Sequence, residues 1–453
     1  MEIMLLSFLQ ILVKAEWNLS SGEEASITAA VFAGELPGSL FWGYVGDKIG
    51  RKLAFTFSAL FVALFGILSC FSTNLMMLCA FRGLVGFGVA GSLIPFDIIA
   101  EFTPENLRGR VLMAVQYSWT LGSIFVSGLA WMVIEPLGWR WLTALCSIPL
   151  CIAIVMSKFL PESPKWLAEA GMIEEATTVV KVTSAMNGVK LPSIDTRKLR
   201  TYHKRMKKHQ TGTLKDLLTP KLRRTTLLLL VIWCGFGFCY YGVVLLTPRI
   251  FHSETTVNSV AEFNYKPIFI STLAEVAGAT LTFFMIDPCG RRVTQGVLYL
   301  SCSVFVMILG ALPTTAADSS TAQLIFAFVA RGCVMGASAT TWIATPEAFP
   351  THIRATGHGV ASSMARIGAF ITPYVADNDS INVSTIATVY SIVLLAVSGA
   401  SFALPGIKND DKIIADKVDK RRKGRSVTNT AQHAFELVAR TDDHESENFV
   451  TSI

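Results

Sequence analysis

Apolar residues fall in runs of about 20 along most of this chain, long enough to cross a hydrocarbon core of roughly 30 Å at 1.5 Å per helical residue. The runs lie at 2–13, 27–46, 53–72, 75–99, 110–134 and 139–160, and again at 225–247, 266–286, 293–312, 323–345, 357–376 and 383–404. A polar stretch at 161–224 separates the two sets. The pattern predicts an all-α membrane protein with six plus six spans, here numbered 1 to 12. Its expected parts are an N-terminal six-helix bundle (1–160), a basic cytoplasmic linker (161–224), a C-terminal six-helix bundle (225–407) and a disordered cytoplasmic tail (408–453).

The polar gaps repeat. Gly43-x-x-x-Asp47-x-x-Gly50-Arg51-Lys52 closes the hairpin of spans 2 and 3, and Asp287-x-x-Gly290-Arg291-Arg292 closes that of spans 8 and 9. Glu101-x-x-Pro104-x-x-x-Arg108 recurs as Glu347-x-x-Pro350-x-x-x-Arg354. Two matched pairs in the same order imply two homologous halves, the mark of a transporter built from repeats.

Composition sharpens this picture. Charged residues make up 16 % of the chain, 52 % is hydrophobic and the mean hydropathy is +0.49. Soluble domains carry about a quarter charged residues, so a soluble fold is excluded. Lys48, Arg51, Lys52, Arg108, Arg110, Arg291, Arg292 and Arg354 all fall in loops on one side, with a dense basic run from Arg197 to Lys208 in the linker. Basic loops mark the cytosolic side, which places both termini in the cytoplasm. Loops on the other side read as short and nearly free of Lys and Arg. Glycosylation triplets at Asn18, Asn378 and Asn382 lie on that outer or lumenal side. The net charge of +6 reads as topology and contact with anionic lipid, not as nucleic-acid binding. The nine cysteines are scattered. No Cys-x-x-Cys pair, metal-ligand cluster or phosphate loop is present, so no metal, cofactor or ATP drive is expected. Span 1 is short, lacks the features of a signal peptide, and reads as a helix missing its first half, through truncation or a wrong start; an intact short protein is the alternative.

The turn residues have physical work to do. Gly43 would let two helices approach closely. Asp47 can face the positive end of a helix, and the planar fork of Arg51 can bind Glu101 or a helix-end carbonyl. The first turn resembles the signature of the major facilitator superfamily. Pro161-Glu162-Ser163-Pro164-Lys165-Trp166-Leu167 resembles the marker of its sugar-porter and organic-ion branch. That resemblance implies an inner-gate salt-bridge network of Arg51, Glu101, Arg108 and Glu162 in the first half, and Arg291, Glu347 and Arg354 in the second. The second half departs from the pattern: Phe283 replaces the turn glycine, and Leu404-Pro405-Gly406-Ile407-Lys408 lacks the expected acid. A weaker lock is expected there. The stretches Tyr240–Thr247, Ser363–Pro373 and Arg82–Gly88 narrow the resemblance to the synaptic-vesicle-glycoprotein-related transporters, over nearly the whole chain from Glu2 to about Pro405. Bacterial relatives of that family include proton-coupled carriers of small aromatic acids.

Charged residues inside apolar runs are the candidate chemistry: Glu2, Glu35, Arg82, Asp97, Glu275, Arg331 and Arg366. An unpaired charge at mid-bilayer costs about 2.5–3.5 kcal/mol on insertion scales, so such residues face a cavity or a partner. Glu2 reads as a proton or cation site, or as the solvated start of the chain; the resemblance also puts an acid there. Asp97 serves transport or snorkels at the inner gate. Glu35, beside Pro37, titrates, binds substrate or pairs structurally. Glu275 stands mid-helix and matches the family. Arg82 and Arg331 occupy matching places before Gly83 and Gly332, which favours a role in packing and outer gating. Arg366 has no counterpart in the first half, and its fork fits a substrate carboxylate in two bonds, unless Glu275 or Glu2 takes it. Gln116, Trp119, Trp233, Tyr240 and Tyr241 can line a cavity or simply pack.

The expected function is secondary active transport of a small organic ion, driven by protons, by alternating access in the plasma membrane or an intracellular vesicle. A hexose carrier is the alternative within the class; against it, Ile232–Phe238 in span 7 lacks the paired Gln and Asn of sugar porters. A non-transporting ligand-binding protein of the same fold is the alternative outside it. The tail carries a basic cluster, Lys420–Arg425, suited to anionic lipid. Its end, Thr451-Ser452-Ile453, is a short PDZ-type motif.

Overall fold

Two caps fix where the first helices end, and they lie outside the apolar runs. Helix α1 spans Glu2–Trp17 and stops at Asn18, which adopts the left-handed conformation (φ 52°). Helix α2 spans Ser21–Ile49 and starts in a capping box, in which Glu23 accepts hydrogen bonds from the Ser20 amide (2.9 Å) and hydroxyl (2.7 Å). Both helices therefore carry polar turns that apolar periodicity cannot see. The computed structural model describes all residues except 104, 189–213, 221, 258–259, 313–318, 350–352 and 406–453. The side chains at 93, 97, 100, 105–110, 214, 252–257, 260–262, 319–320 and 354–355 also lie outside the description.

The remaining helices follow the apolar runs, with breaks at proline and glycine. They are α3 (Arg51–Ser69), α4 (Leu75–Val89), α5 (Ile94–Phe102), α6 (Glu105–Cys146), α7 (Ile148–Met156), α8 (Pro164–Glu169), α9 (Ile173–Met186), α10 (Leu214–Leu217), α11 (Arg223–Ile250), α12 (Tyr265–Met285), α13 (Arg291–Ala311), α14 (Ser319–Glu347), α15 (Arg354–Ala376) and α16 (Val383–Ala403). Span 4, expected as one helix, is two: a 3-10 turn at Ala90–Leu93 joins α4 to α5, where Pro95 removes a backbone donor. Spans 5 and 6 meet without a loop at Gly138, whose positive φ of 79° turns the chain inside α6. Between α11 and α12 an antiparallel hairpin, β1 (His252–Val257) and β2 (Val260–Phe263), pairs His252 with Phe263. The connection expected to be short is thus a structured one.

Among the described residues, eight helical stretches are long and apolar enough to cross a membrane. One of them, Val111–Phe159, contains the Gly138 turn and so supplies two crossings. Helix α1 is too short to qualify on its own, and α2 and α15 are too polar, carrying Glu35 and Arg366 among small and polar residues.

By contacts the chain forms two units. One comprises Met1–Leu160 with Thr211–Pro405, and the other Pro161–Gln210 with Gly406–Ile453. In the second, α8 and α9 pack as a helical hairpin turned at Gly171. Ser163 caps α8 by accepting from the Trp166 amide at 3.1 Å. The polar linker is therefore partly helical.

Within the first unit the two halves repeat one packing motif. A Cβ at Gly34 on α2 would stand 1.9 Å from the carbonyl oxygen of Gly83 on α4. A Cβ at Gly278 on α12 would stand 2.0 Å from that of Gly332 on α14. Only glycine permits such backbone contact between membrane helices. The close approach expected at Gly43 is not there, since a Cβ at that position would meet nothing within 4 Å. It lies further along α2, at Gly34 and Gly38.

Candidate transport site

Each buried arginine faces a carboxylate from another helix. Arg82 on α4 donates to Glu2 on α1 at 2.6 Å. Arg331 on α14 donates to Glu275 on α12 at 3.0 Å, with both side chains 1 % exposed. Arg366 on α15 meets Glu35 on α2 at 2.8 Å. Glu35 lies about 21 Å along α2 from its Ser21 end, and Arg366 about 15 Å along α15 from its Ala376 end. Both are therefore near mid-helix in spans that belong to opposite halves. The partner expected for Arg366 was Glu275 or Glu2; the structure assigns Glu35, and gives those two to the other arginines.

The pairs form one charged layer. Glu2 is within electrostatic reach of Glu35. Tyr241 reaches Glu35 and Arg366, and Tyr240 reaches Glu275 and Arg331. No guanidinium is saturated. Among the described residues Nη1 of Arg366, Nη1 of Arg331, and Nε and Nη2 of Arg82 have no hydrogen-bond partner. Buried donors of this kind are expensive unless something fills them.

Matching the halves shows an asymmetry. The offset that relates Gly34 to Gly278 places Glu275 opposite Val31, and Glu35 opposite Ala279. The arginine and its glycine persist in both halves, while the carboxylate stands on different helices. That is why Arg82 draws its counter-charge from α1, and why Glu35 is left to bridge the halves.

Aromatic residues border the layer. Phe32 and Tyr241 lie 4.7 Å apart across the halves. Trp119 on α6 donates to the Tyr240 hydroxyl at 2.6 Å. Trp233 is fully buried, donates to Thr345 at 2.9 Å and packs edge-on against Trp342. His358, which its sequence context did not single out, lies against both tryptophans. Gln116 is half-buried, and among the described residues its side chain makes no hydrogen bond. An apolar crevice bordered by Val243, Val306 and Ala327 lies elsewhere and holds no charge.

At the basic end the two repeated turns are alike. Arg51 binds Asp47 at 2.9 Å and Arg291 binds Asp287 at 3.0 Å. Gly50 (φ 105°) and Gly290 (φ 80°) supply the turn in each. Arg291 also reaches Glu347 at 3.0 Å and the Ile286 carbonyl. Glu101 is half-buried on α5. Glu162, in the second unit, accepts from the Ser163 amide at 2.9 Å. Asp97, Arg108 and Arg354 sit on helices, but their side chains lie outside the described residues, as do the tail's basic cluster and C-terminal motif.

The opposite end holds a polar cluster that the apolar pattern did not reveal. Lys14 binds Asp379 at 2.5 Å and Glu24 at 2.7 Å. Arg249 binds Asp379 at 2.6 Å and lies 3.8 Å from Asp377. Gln10 donates to Asp377 at 2.8 Å and accepts from Thr28 at 2.6 Å. Ser21 donates to Asp379 at 2.8 Å. The cluster ties α1 and α2 to the ends of α11 and α15. That end is thus not free of Lys and Arg: Lys14 and Arg249 lie just past the apolar runs, in the last turns of α1 and α11. Acidic residues flanking apolar runs at Glu24 and Asp377 were the available signal.

The sugar (and other) transporter family matches residues 4–405. Organic cation/carnitine transporter 7 of Arabidopsis thaliana is 33 % identical over 94 % of this chain and 92 % of its own length. The putative transporter svop-1 of Caenorhabditis elegans is 35 % identical over 83 % and 73 %. The synaptic vesicle 2-related protein of Bos taurus is 34 % identical over 89 % and 75 %. Among solved structures, the partially occluded inward-open xylose transporter XylE of E. coli superposes with a TM-score of 0.71 at 17 % identity, covering 90 % of this chain and 96 % of that one.

Proposed function

The chain belongs to the sugar (and other) transporter family, with the major facilitator fold, and on that premise we propose that it carries a small organic ion by proton-coupled alternating access. The Glu35–Arg366 pair at 2.8 Å carries the reading. It joins the two halves at mid-membrane, and separating the halves must break it. A substrate carboxylate can replace Glu35 on Arg366, whose fork suits two bonds. A cationic substrate would instead replace Arg366 on Glu35. The partnerless Nη1 of Arg366 favours the carboxylate. Glu35, once released from Arg366, is free to carry the coupling proton. Glu2 and Glu275 offer further proton sites. One charge moving down about 100 mV supplies roughly 2.3 kcal/mol, enough for about fiftyfold accumulation.

The basic end faces the cytosol in this reading, so both termini are cytoplasmic and Asn18, Asn378 and Asn382 face outward or into a vesicle lumen. Anionic lipid is the partner of the basic linker and tail.

Proteoliposome uptake of organic anions, cations and sugars at two external pH values tests the proposal. Organic-anion uptake should rise with an inward proton gradient. Arg366→Ala should lower it at least about tenfold, the effect of losing one charge-assisted contact, and Glu275→Gln should blunt its pH response. Normal transport by both variants would overturn the site. Ligand binding without counterflow would favour a receptor of the same fold.

A further inference from the structure

We propose that Asp377 is a second proton-binding site, loaded when the outer end of the transporter closes and emptied when it opens. The inference rests on the alternating-access reading. It starts from a charge count at the cluster far from the basic turns. Two bases, Lys14 and Arg249, face three carboxylates, Glu24, Asp377 and Asp379. One carboxylate is in excess, and their surroundings differ sharply.

Asp379 is half open to solvent and has short contacts to Lys14, Arg249 and Ser21. Burial pushes its carboxyl up, but Lys14 and Ser21 outweigh this and hold it below the usual range. Glu24 is buried too, and burial pushes its carboxyl up, but Lys14 lies 2.7 Å from it and opposes this, whereas the base nearest Asp377 is 3.8 Å away. Asp377 is 2 % exposed, and among the described residues its Oδ2 has no partner. It sits at the junction of four elements. Gln10 and Lys14 face it from α1, Glu24 from α2, Arg249 from α11 and Asp379 from its own loop, with Tyr390 of α16 nearby. Burial pushes the Asp377 carboxyl well above the ordinary range and Glu24 adds to this; Arg249, Lys14 and Gln10 oppose without cancelling it. The excess negative charge is thus neutralised at Asp377, and a proton from the outer compartment does it.

Separating α1 and α2 from α11 and α15 exposes Asp377 to water, where an aspartate titrates near 3.9. Its affinity for the proton is therefore higher in the closed form. Acid favours closure, fully below the open-form value, and that advantage is lost as pH rises to the closed-form value. The outer pH then sets how readily the empty carrier opens outward, separately from any proton carried at Glu2, Glu35 or Glu275.

Ser127 reports opening. It is buried, 3.2 Å from Thr272 of the other half. Ser127→Cys in the full chain is treated with an impermeant thiol reagent from the outer side, with the parent protein as background. Divided at each pH by the labelling of a solvent-exposed cysteine, which removes the thiol's own ionisation, labelling should quicken about tenfold or more between outer pH 5 and 8, within the tenfold per unit that one proton allows. Adding Asp377→Asn should flatten that dependence. Adding Asp379→Asn should raise labelling at every pH while keeping the slope, which shows that loosening the cluster is not enough. A pH slope unchanged in Asp377→Asn overturns the proton site alone. Absence of labelling at every pH in every variant overturns the alternating-access reading with it.

Discussion

Arg331 is buried with Glu275 at 1 % exposure, so the cost of disturbing it depends on what is left behind. Truncating one member of a buried pair strands a charge and costs about 3–5 kcal/mol, whereas replacing both with apolar residues is close to neutral. Glu275→Leu should therefore lower the thermal midpoint of the purified protein well below that of the double variant Glu275→Leu/Arg331→Met. Equal midpoints would show that the pair is not desolvated. The identity of these charged residues was legible in the sequence, because each interrupts an apolar run. Their pairing was not. Glu2 and Arg82 are 80 residues apart and Glu35 and Arg366 much further, and hydropathy carries no information on which faces of two helices meet. Trp233 shows the same limit, since its bond to Thr345 depends on how α11 leans on α14.

Helices meet where backbones can touch. Gly34→Val and Gly278→Val should each force a pair of helices apart, because even a Cβ would sit about 2 Å from a carbonyl oxygen. Loss of monodisperse protein in size-exclusion chromatography is the expected outcome for both. Gly43→Ala should leave the profile unchanged, since open space surrounds it. A reversal of that order would contradict the packing. The place of most long helices followed from the apolar runs, but their ends and breaks did not. Ser20 and Glu23 extend α2 through a polar turn, Gly138 joins two spans without a loop, and Pro95 divides a third. Caps and turns depend on single residues, to which a window over twenty positions is blind.

At the scale of the molecule, transport by rocking halves requires Ser127 and Thr272 to part. Cysteines at both positions, whose hydroxyls now lie 3.2 Å apart, can approach the 2.05 Å of a disulfide with a small shift. Oxidation of that double variant should stop uptake and reduction should restore it, read as labelled-substrate flux before and after reductant. Unimpaired flux in the oxidised form would exclude separation of α6 from α12. The two-fold organisation was plain in the sequence, because the turns at Asp47 and Asp287 must each be built from the same few residues. The cluster around Asp377 was hidden because four helix ends supply it, none with a motif of its own.

The displaced carboxylate leaves a trace that can be reversed. In one half the acid sits beside its arginine at position 275; in the other, valine occupies that place at 31, and the acid has moved to position 2. A chain carrying Val31→Glu with Glu2→Gln would make the halves alike at this place, giving Arg82 a counter-ion on its own neighbour. Arg82 would then stand to its neighbouring helix as Arg331 stands to Glu275, and the two bundles would each hold their own ion pair.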